Sequence, residues 1–142
     1  MSPLKTTETG KTVVVFGVFD LLHPGHLHFL EAAKRYGSRL VVVVTRDARV
    51  KDDKGRDPVF DEKERLLMVR ALSIVDKAIL GDSPGKYSVL GRVKPDIVAL
   101  GHDQHVPKAV KAGPWRFVRL SAKMRTKYRT TNLRKALSEK GT

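Results

Sequence analysis

The sequence predicts a single doubly wound, mainly parallel α/β sheet of Rossmann-like type, with helices on both faces. Two runs carry most of this expectation. Thr12–Phe16 (TVVVF) and Arg39–Thr45 (RLVVVVT) are unbroken and rich in β-branched residues, the pattern of strands buried on both faces. Between them lie a loop containing Gly and Pro and then a helical pattern, so the pair forms a βαβ unit, whose strands must run parallel. The third observation is that short apolar runs alternate with helical stretches along the rest of the chain.

Taken in order, the first strand gives way to a loop from Gly17 to Gly25. A helix is expected from His26, with Leu27, Leu30 and Ala33 on one stripe and Gly37 as its stop. After the second strand, Arg46–Phe60 reads as a polar loop rich in Lys, Asp and Gly, long enough to suggest function. Asp61 followed by Glu64 resembles a capping box, opening a helix that turns Leu66, Val69 and Leu72 inward. A strand at Lys77–Leu80, a short helix at Pro84–Val93 and a strand at Asp96–Leu100 come next. A helix over Gln104–Ala112 is expected to end at Gly113 and Pro114, before an edge-like strand at Arg116–Leu120 and a closing helix at Thr130–Lys140. No repeat, low-complexity tract or linker interrupts the series. Residues 1–142 therefore read as one domain, with 1–11 a flexible N-terminal segment and 105–142 its basic C-terminal part.

Composition narrows the function classes. No apolar run approaches the roughly 20 residues of a membrane span, and Met1–Lys11 lacks the apolar centre of a signal peptide. The absence of cysteine excludes disulfides, thiolate metal sites and cysteine nucleophiles, and a reducing, cytoplasmic setting is the expectation. The net charge of +13 is concentrated: residues 105–142 carry 11 Lys/Arg against the one acid Glu139. Such a block attracts polyanions, whether nucleotides or nucleic acid.

In a doubly wound sheet, ligands sit beyond the carboxyl ends of the strands, where the strand order reverses. Three polar segments fall there: Gly17–His26, Thr45–Arg56 and Gly101–His105. The first reads GVFDLLHPGH and feeds a helix N-terminus, whose unpaired N–H groups and dipole favour an anion. Pro24 fixes the turn, and Gly25 allows close backbone approach. His23 and His26 flank them and can donate to phosphate oxygens, though a helix cap alone would also account for them. The second segment offers Lys51, Lys54 and Arg56 as phosphate cations among five cations and four aspartates, a run that a solvated surface would equally explain. In the third, His102 and His105 lack an evident third partner for a metal, so no protein-held metal site is expected.

GxFDxxHxGH resembles the signature of the HxGH nucleotidyltransferase superfamily, which includes the cytidylyltransferases and the archaeal FAD synthases. The stretches RDARVKDDKGRDPVF, VDKAILG and VKPDIVALGHDQ are similar to those of the archaeal FAD synthases. Where glycerol-3-phosphate cytidylyltransferases carry an arginine two residues before the VD pair, this chain has Ser73, which sets it apart from that branch. The resemblance covers residues 12–105 well and the C-terminal quarter poorly. It implies that His23, His26 and Lys51 act on the triphosphate, and that Val18 and Phe19 line the nucleotide together with Pro24 and Gly25. It further implies nucleotide contacts from Asp103, and triphosphate contacts from Lys123, Arg125, Thr130 and Thr131. Thr130 and Thr131 are also simply good N-caps.

The activity so implied is transfer of AMP from ATP to FMN, by in-line displacement with release of pyrophosphate. A divalent cation, most simply Mg²⁺, would be held mainly by substrate phosphates. ATP and FMN are the expected partners, with no membrane, and with a homodimer in keeping with the family's habit. Two other readings stand beside it: a cytidylyltransferase acting on glycerol-3-phosphate or another small phosphorylated alcohol, and a nucleic-acid-binding module using the basic quarter. The latter is the less favoured, because that quarter has few interleaved aromatics (Trp115, Phe117, Tyr128) and no recognisable binding fold of its own.

Overall fold

The computed structural model describes residues 10–120. The expected closing helix, and with it Lys123, Arg125, Thr130 and Thr131, lies outside the described residues. Within them the element order is β1 (Thr12–Gly17), α1 (Pro24–Lys34), β2 (Arg39–Val44), α2 (Asp47–Lys54), α3 (Glu62–Arg70), β3 (Lys77–Leu80), α4 (Val89–Val93), β4 (Ile97–Leu100), α5 (Lys108–Lys111) and β5 (Arg116–Arg119).

The five strands form one parallel sheet in the order β3-β2-β1-β4-β5. The chain winds outward from β1 through β2 to β3, then returns to the other side of β1 for β4 and β5. The order therefore reverses between β1 and β4, which is the switch point of a doubly wound fold. Successive side chains alternate between faces. Val13, Val15, Val42, Val44, Ile97 and Ala99 join α1 and α3 in one core cluster, while Val14, Val41, Val43, Val98 and Leu100 join α4 in the other. Both faces of β1, β2 and β4 are covered, so their central positions are uniformly apolar, as the valine runs predict. No helix among the described residues is long and apolar enough to cross a membrane.

Two aspartates tie the strand starts together. Asp96 accepts from Thr12 N at 2.8 Å, and Asp76 accepts from Leu40 N at 2.7 Å and from Lys34 Nζ. The VD and KPD elements that carry part of the family resemblance are thus fastenings at the end of the sheet opposite the loops.

Several local expectations need correction. Arg46–Phe60 is not simply a loop: Asp47–Lys54 is the helix α2, ended by Gly55 in the left-handed conformation at φ 71°. Only Val50 of that helix is buried, so no apolar stripe announced it. Helix α1 starts at Pro24 rather than His26, because His23 caps it and proline suits the first turn. It closes at Arg35, before Gly37. That glycine is needed for packing, since a Cβ there would lie 2.6 Å from Lys11 O. Leu27 does not share the inward stripe with Leu30 and Ala33 and is 42% exposed. Helices α4 and α5 are shorter than the expected Pro84–Val93 and Gln104–Ala112. In the second case residues 101–106 form a turn held by Gln104 and Arg119, which leaves only one helical turn.

Candidate active site

The loop after β1 is built around two residues in the left-handed region, Phe19 and Leu21, both at φ 53°. Neither is glycine, and such conformations cost about 1–3 kcal/mol each unless the surroundings impose them. For Phe19 the surroundings do. Phe19 is buried in the α1-side core, and its ring approaches Gly17 so closely that a Cβ there would sit 2.6 Å away. Asp20 is buried as well, and its carboxylate accepts from Val59 N at 2.7 Å and Phe60 N at 3.0 Å. The segment leading into α3 is thereby latched to the loop.

Arg65 completes the framework. Its side chain is fully buried, donating from Nε to Phe60 O at 3.0 Å, from Nη1 to Val18 O at 2.8 Å and Thr45 O at 2.7 Å, and from Nη2 to Asp47 Oδ1 at 2.6 Å. One guanidinium thus fixes the ends of β1 and β2, the start of α2 and the entry to α3. Asp47 and Glu62 reinforce it by exchanging backbone-to-carboxylate bonds, and Arg46 pairs with Glu62 at 3.2 Å. The capping box expected at α3 is present, with Asp61 accepting from Glu64 N and Glu64 accepting from Asp61 N.

His23 and His26 form a capping box of their own. Nδ1 of His23 accepts from Gly25 N at 3.1 Å, and Nδ1 of His26 accepts from His23 N at 3.2 Å. The rings stack with centroids 3.8 Å apart, and the His26 ring lies 5.5 Å from that of Phe19. A neutral imidazole whose Nδ1 accepts carries its proton on Nε2. Both histidines are therefore set as Nε2–H donors at the N-terminus of α1, beside the switch point. The cap uses Nδ1 of each ring, so capping does not by itself preclude donation from Nε2.

Across the crevice, the segment after β4 is pinned by Gln104, the last residue of the VKPDIVALGHDQ stretch, and by Arg119, neither of which sequence reading assigned a role. Gln104 accepts from Gly101 N at 3.1 Å and donates to Phe16 O at 3.2 Å, joining the ends of β4 and β1. Arg119 of β5 donates from Nη1 to the carbonyls of Gly101, His102 and Gln104. Asp103 stands exposed on that turn, 3.8 Å from His102. Lys51 stands exposed on α2 at the end of β2. Val18 is half-buried, Pro24 exposed and Gly25 buried at the start of α1. The three loop segments do converge, through Arg65 and Gln104. Among the described residues, no three His, Asp, Glu or Cys side chains are grouped to hold a metal ion.

A cytidylyltransferase-like family model matches residues 14–138. The chain belongs to that family. It is 47% identical over 92 residues to the FAD synthase of Methanohalophilus mahii, covering 65% of this chain and 63% of that protein. With the FAD synthase of Ferroglobus placidus it is 47% identical over 95 residues, 67% of this chain and 61% of that one. For the Thermoplasma volcanium FAD synthase the figures are 45% over 97 residues and 68% of both. The match thus spans a little over three fifths of the first two relatives' length. A crystal structure of the lipopolysaccharide core biosynthesis protein from Thermoplasma volcanium superposes with a TM-score of 0.72 at 40% identity, over 78% of this chain and 96% of that one.

Proposed function

We propose that this chain is an FMN adenylyltransferase, an FAD synthase that joins AMP from ATP to FMN and releases pyrophosphate. The observation that carries the reading is the 45–47% identity to FAD synthases, on a chain with two imidazole donors at the N-terminus of α1 beside the switch point. An FMN phosphate oxygen, already ionised at neutral pH, attacks the α-phosphorus of ATP in line. The new P–O bond forms as the bond to the bridging oxygen breaks, and pyrophosphate leaves. No protein nucleophile or strong base is required, so the protein's contribution is position and charge. Nε2–H of His23 and of His26 donates to triphosphate oxygens and opposes the charge that grows there. Lys51 adds a cation from α2, and Asp103 contacts the nucleotide from the β4 side. Lys123, Arg125, Thr130 and Thr131 supply further triphosphate contacts. Phe19 is committed to the core and the Val18 carbonyl to Arg65, so these two residues shape the floor of the nucleotide site.

A divalent cation, Mg²⁺ most simply, belongs to the same proposal. The described residues offer no cage for it, and Asp20, the carboxylate of the loop, is taken up by two backbone N–H groups. That suits an ion held chiefly by phosphates and water, where it would neutralise triphosphate charge. The reading also carries with it a cytoplasmic setting and a homodimer.

The test is to incubate the protein with Mg²⁺ and either ATP plus FMN or CTP plus glycerol-3-phosphate, following FAD by chromatography and pyrophosphate by a coupled assay. FAD from the first pair is the expected result. Pyrophosphate from the second pair, with no FAD from the first, overturns the reading in favour of a cytidylyltransferase.

A further inference from the structure

The turn that follows β4 gathers three carbonyl oxygens on one nitrogen. Arg119 Nη1 lies 2.9 Å from Gly101 O, 3.2 Å from His102 O and 3.0 Å from Gln104 O. That nitrogen carries two protons, so the acceptors share them around one positive charge. Three C=O dipoles that converge on one another repel unless a cation stands between them, so the guanidinium holds this backbone conformation. The strand itself does not need the side chain. Arg119 is exposed, and β5 continues its backbone pairing past it, with Leu120 N donating to Leu100 O at 2.8 Å.

Gln104 fastens the same turn from the other side. It accepts from Gly101 N at 3.1 Å and donates to Phe16 O of β1 at 3.2 Å, while its own N–H closes the turn on Gly101 O. The turn is therefore stretched between β1 and β5, with His102 and Asp103 at its two central positions. All three Arg119 bonds fall on this one turn, and it lies beside the switch point, where ligands bind in a doubly wound sheet.

We infer that Arg119 is a positioning residue for the nucleotide, clamping the turn whose carbonyls it holds so that Asp103 is presented at the crevice between β1 and β4. The inference rests on the adenylyltransferase reading and deepens it on the β4 side. Arg119 acts through the turn, so its effect falls on nucleotide binding and not on the chemical step.

Arg119→Met removes the charge and keeps most of the stem, whereas Arg119→Lys returns one cationic nitrogen with three protons. Circular dichroism verifies folding, initial rates are taken with ATP and FMN varied in turn, and ATP affinity is read by calorimetry. For Arg119→Met the expected result is a rise of about tenfold in KM and Kd for ATP, with kcat and KM for FMN changed less than about twofold. Arg119→Lys should bring the ATP values back to within about threefold of wild type. In an Asp103→Ala background, Arg119→Met should weaken ATP binding less than about threefold further, because the group it positions is already gone. Unchanged ATP affinity in Arg119→Met, a lysine variant no better than methionine, or full additivity with Asp103→Ala each overturns the inference. So does a methionine variant that fails to fold, or that loses kcat with ATP affinity intact, since Arg119 is then a staple of the fold. Should the wild-type protein make no FAD, the function reading falls and calorimetry with ATP and CTP decides the clamp alone. Weaker binding of the nucleotide by Arg119→Met then sustains it, and equal or absent binding overturns it.

Discussion

His23 and His26 each use Nδ1 to accept from the backbone of the loop, which leaves the ring proton on Nε2. This division makes an otherwise ambiguous mutation informative. Alanine at His23 removes cap and donor together, whereas asparagine can still accept from Gly25 N, as a good N-cap does, but cannot reach as far as Nε2. His23→Asn is therefore expected to keep most of the thermal stability and to lower kcat by on the order of 10²-fold, the loss typical of a missing charge-stabilising donor. Thermal melts beside steady-state rates check this, and full turnover in the asparagine variant would make the histidine purely structural. At the other end of the sheet, Asp76 is a stability residue. Partial burial raises its pKa, but hydrogen bonds from Lys34 and Leu40 N, with the charges of Lys34 and Arg39, outweigh that and hold it below 3.8. Its contribution is complete above the unfolded value and fades as pH falls through the lower folded value. Asp76→Asn should thus melt earlier than wild type at pH 7, with the gap closing below about pH 4. A gap that persists unchanged at pH 2.5 would remove the carboxylate from the account.

Helix α2 and the entry to α3 depend on a single buried cation. Among the described residues, Asp47 is the only carboxylate bonded to Arg65, and it also holds Glu62 N. Asp47→Ala leaves a buried guanidinium short of its counter-charge, which in buried pairs costs about 3–5 kcal/mol. Asp47 is about one third exposed, so the lower end of that range is expected in chemical denaturation, together with reduced turnover as the loop after β1 loses its anchor. A loss under about 0.5 kcal/mol, the scale of an exposed pair, would contradict this role. The elements differ in how readable they were. The capping box of α3 lies within four consecutive residues, so Asp61 and Glu64 were legible as a pair. Asp47 and Arg65 are 18 residues apart, and nothing local joins them. Helix α2 was missed because a surface helix with one buried residue has no periodicity to detect.

Over the whole molecule, the valine runs determine a parallel sheet, and the parallel sheet places every loop of interest at one end. The fold class and the loop containing His23 and His26 could be read because both are written in consecutive residues. The turn clamped by Arg119 could not, since donor and acceptors meet only after β5 has paired with β4. The same holds for the Gln104 bond to Phe16, which spans 88 positions. Asp20 belongs to this long-range class, and its consequence is dynamic. Val59 is 54% exposed and lies outside any helix or strand, where amide protons ordinarily trade with solvent in seconds. Its N–H, and that of Phe60, end instead on a buried carboxylate. In deuterated buffer these two amides should retain their protons alongside the sheet, and Asp20→Ala should release both at once. A loop would then be keeping time with the core.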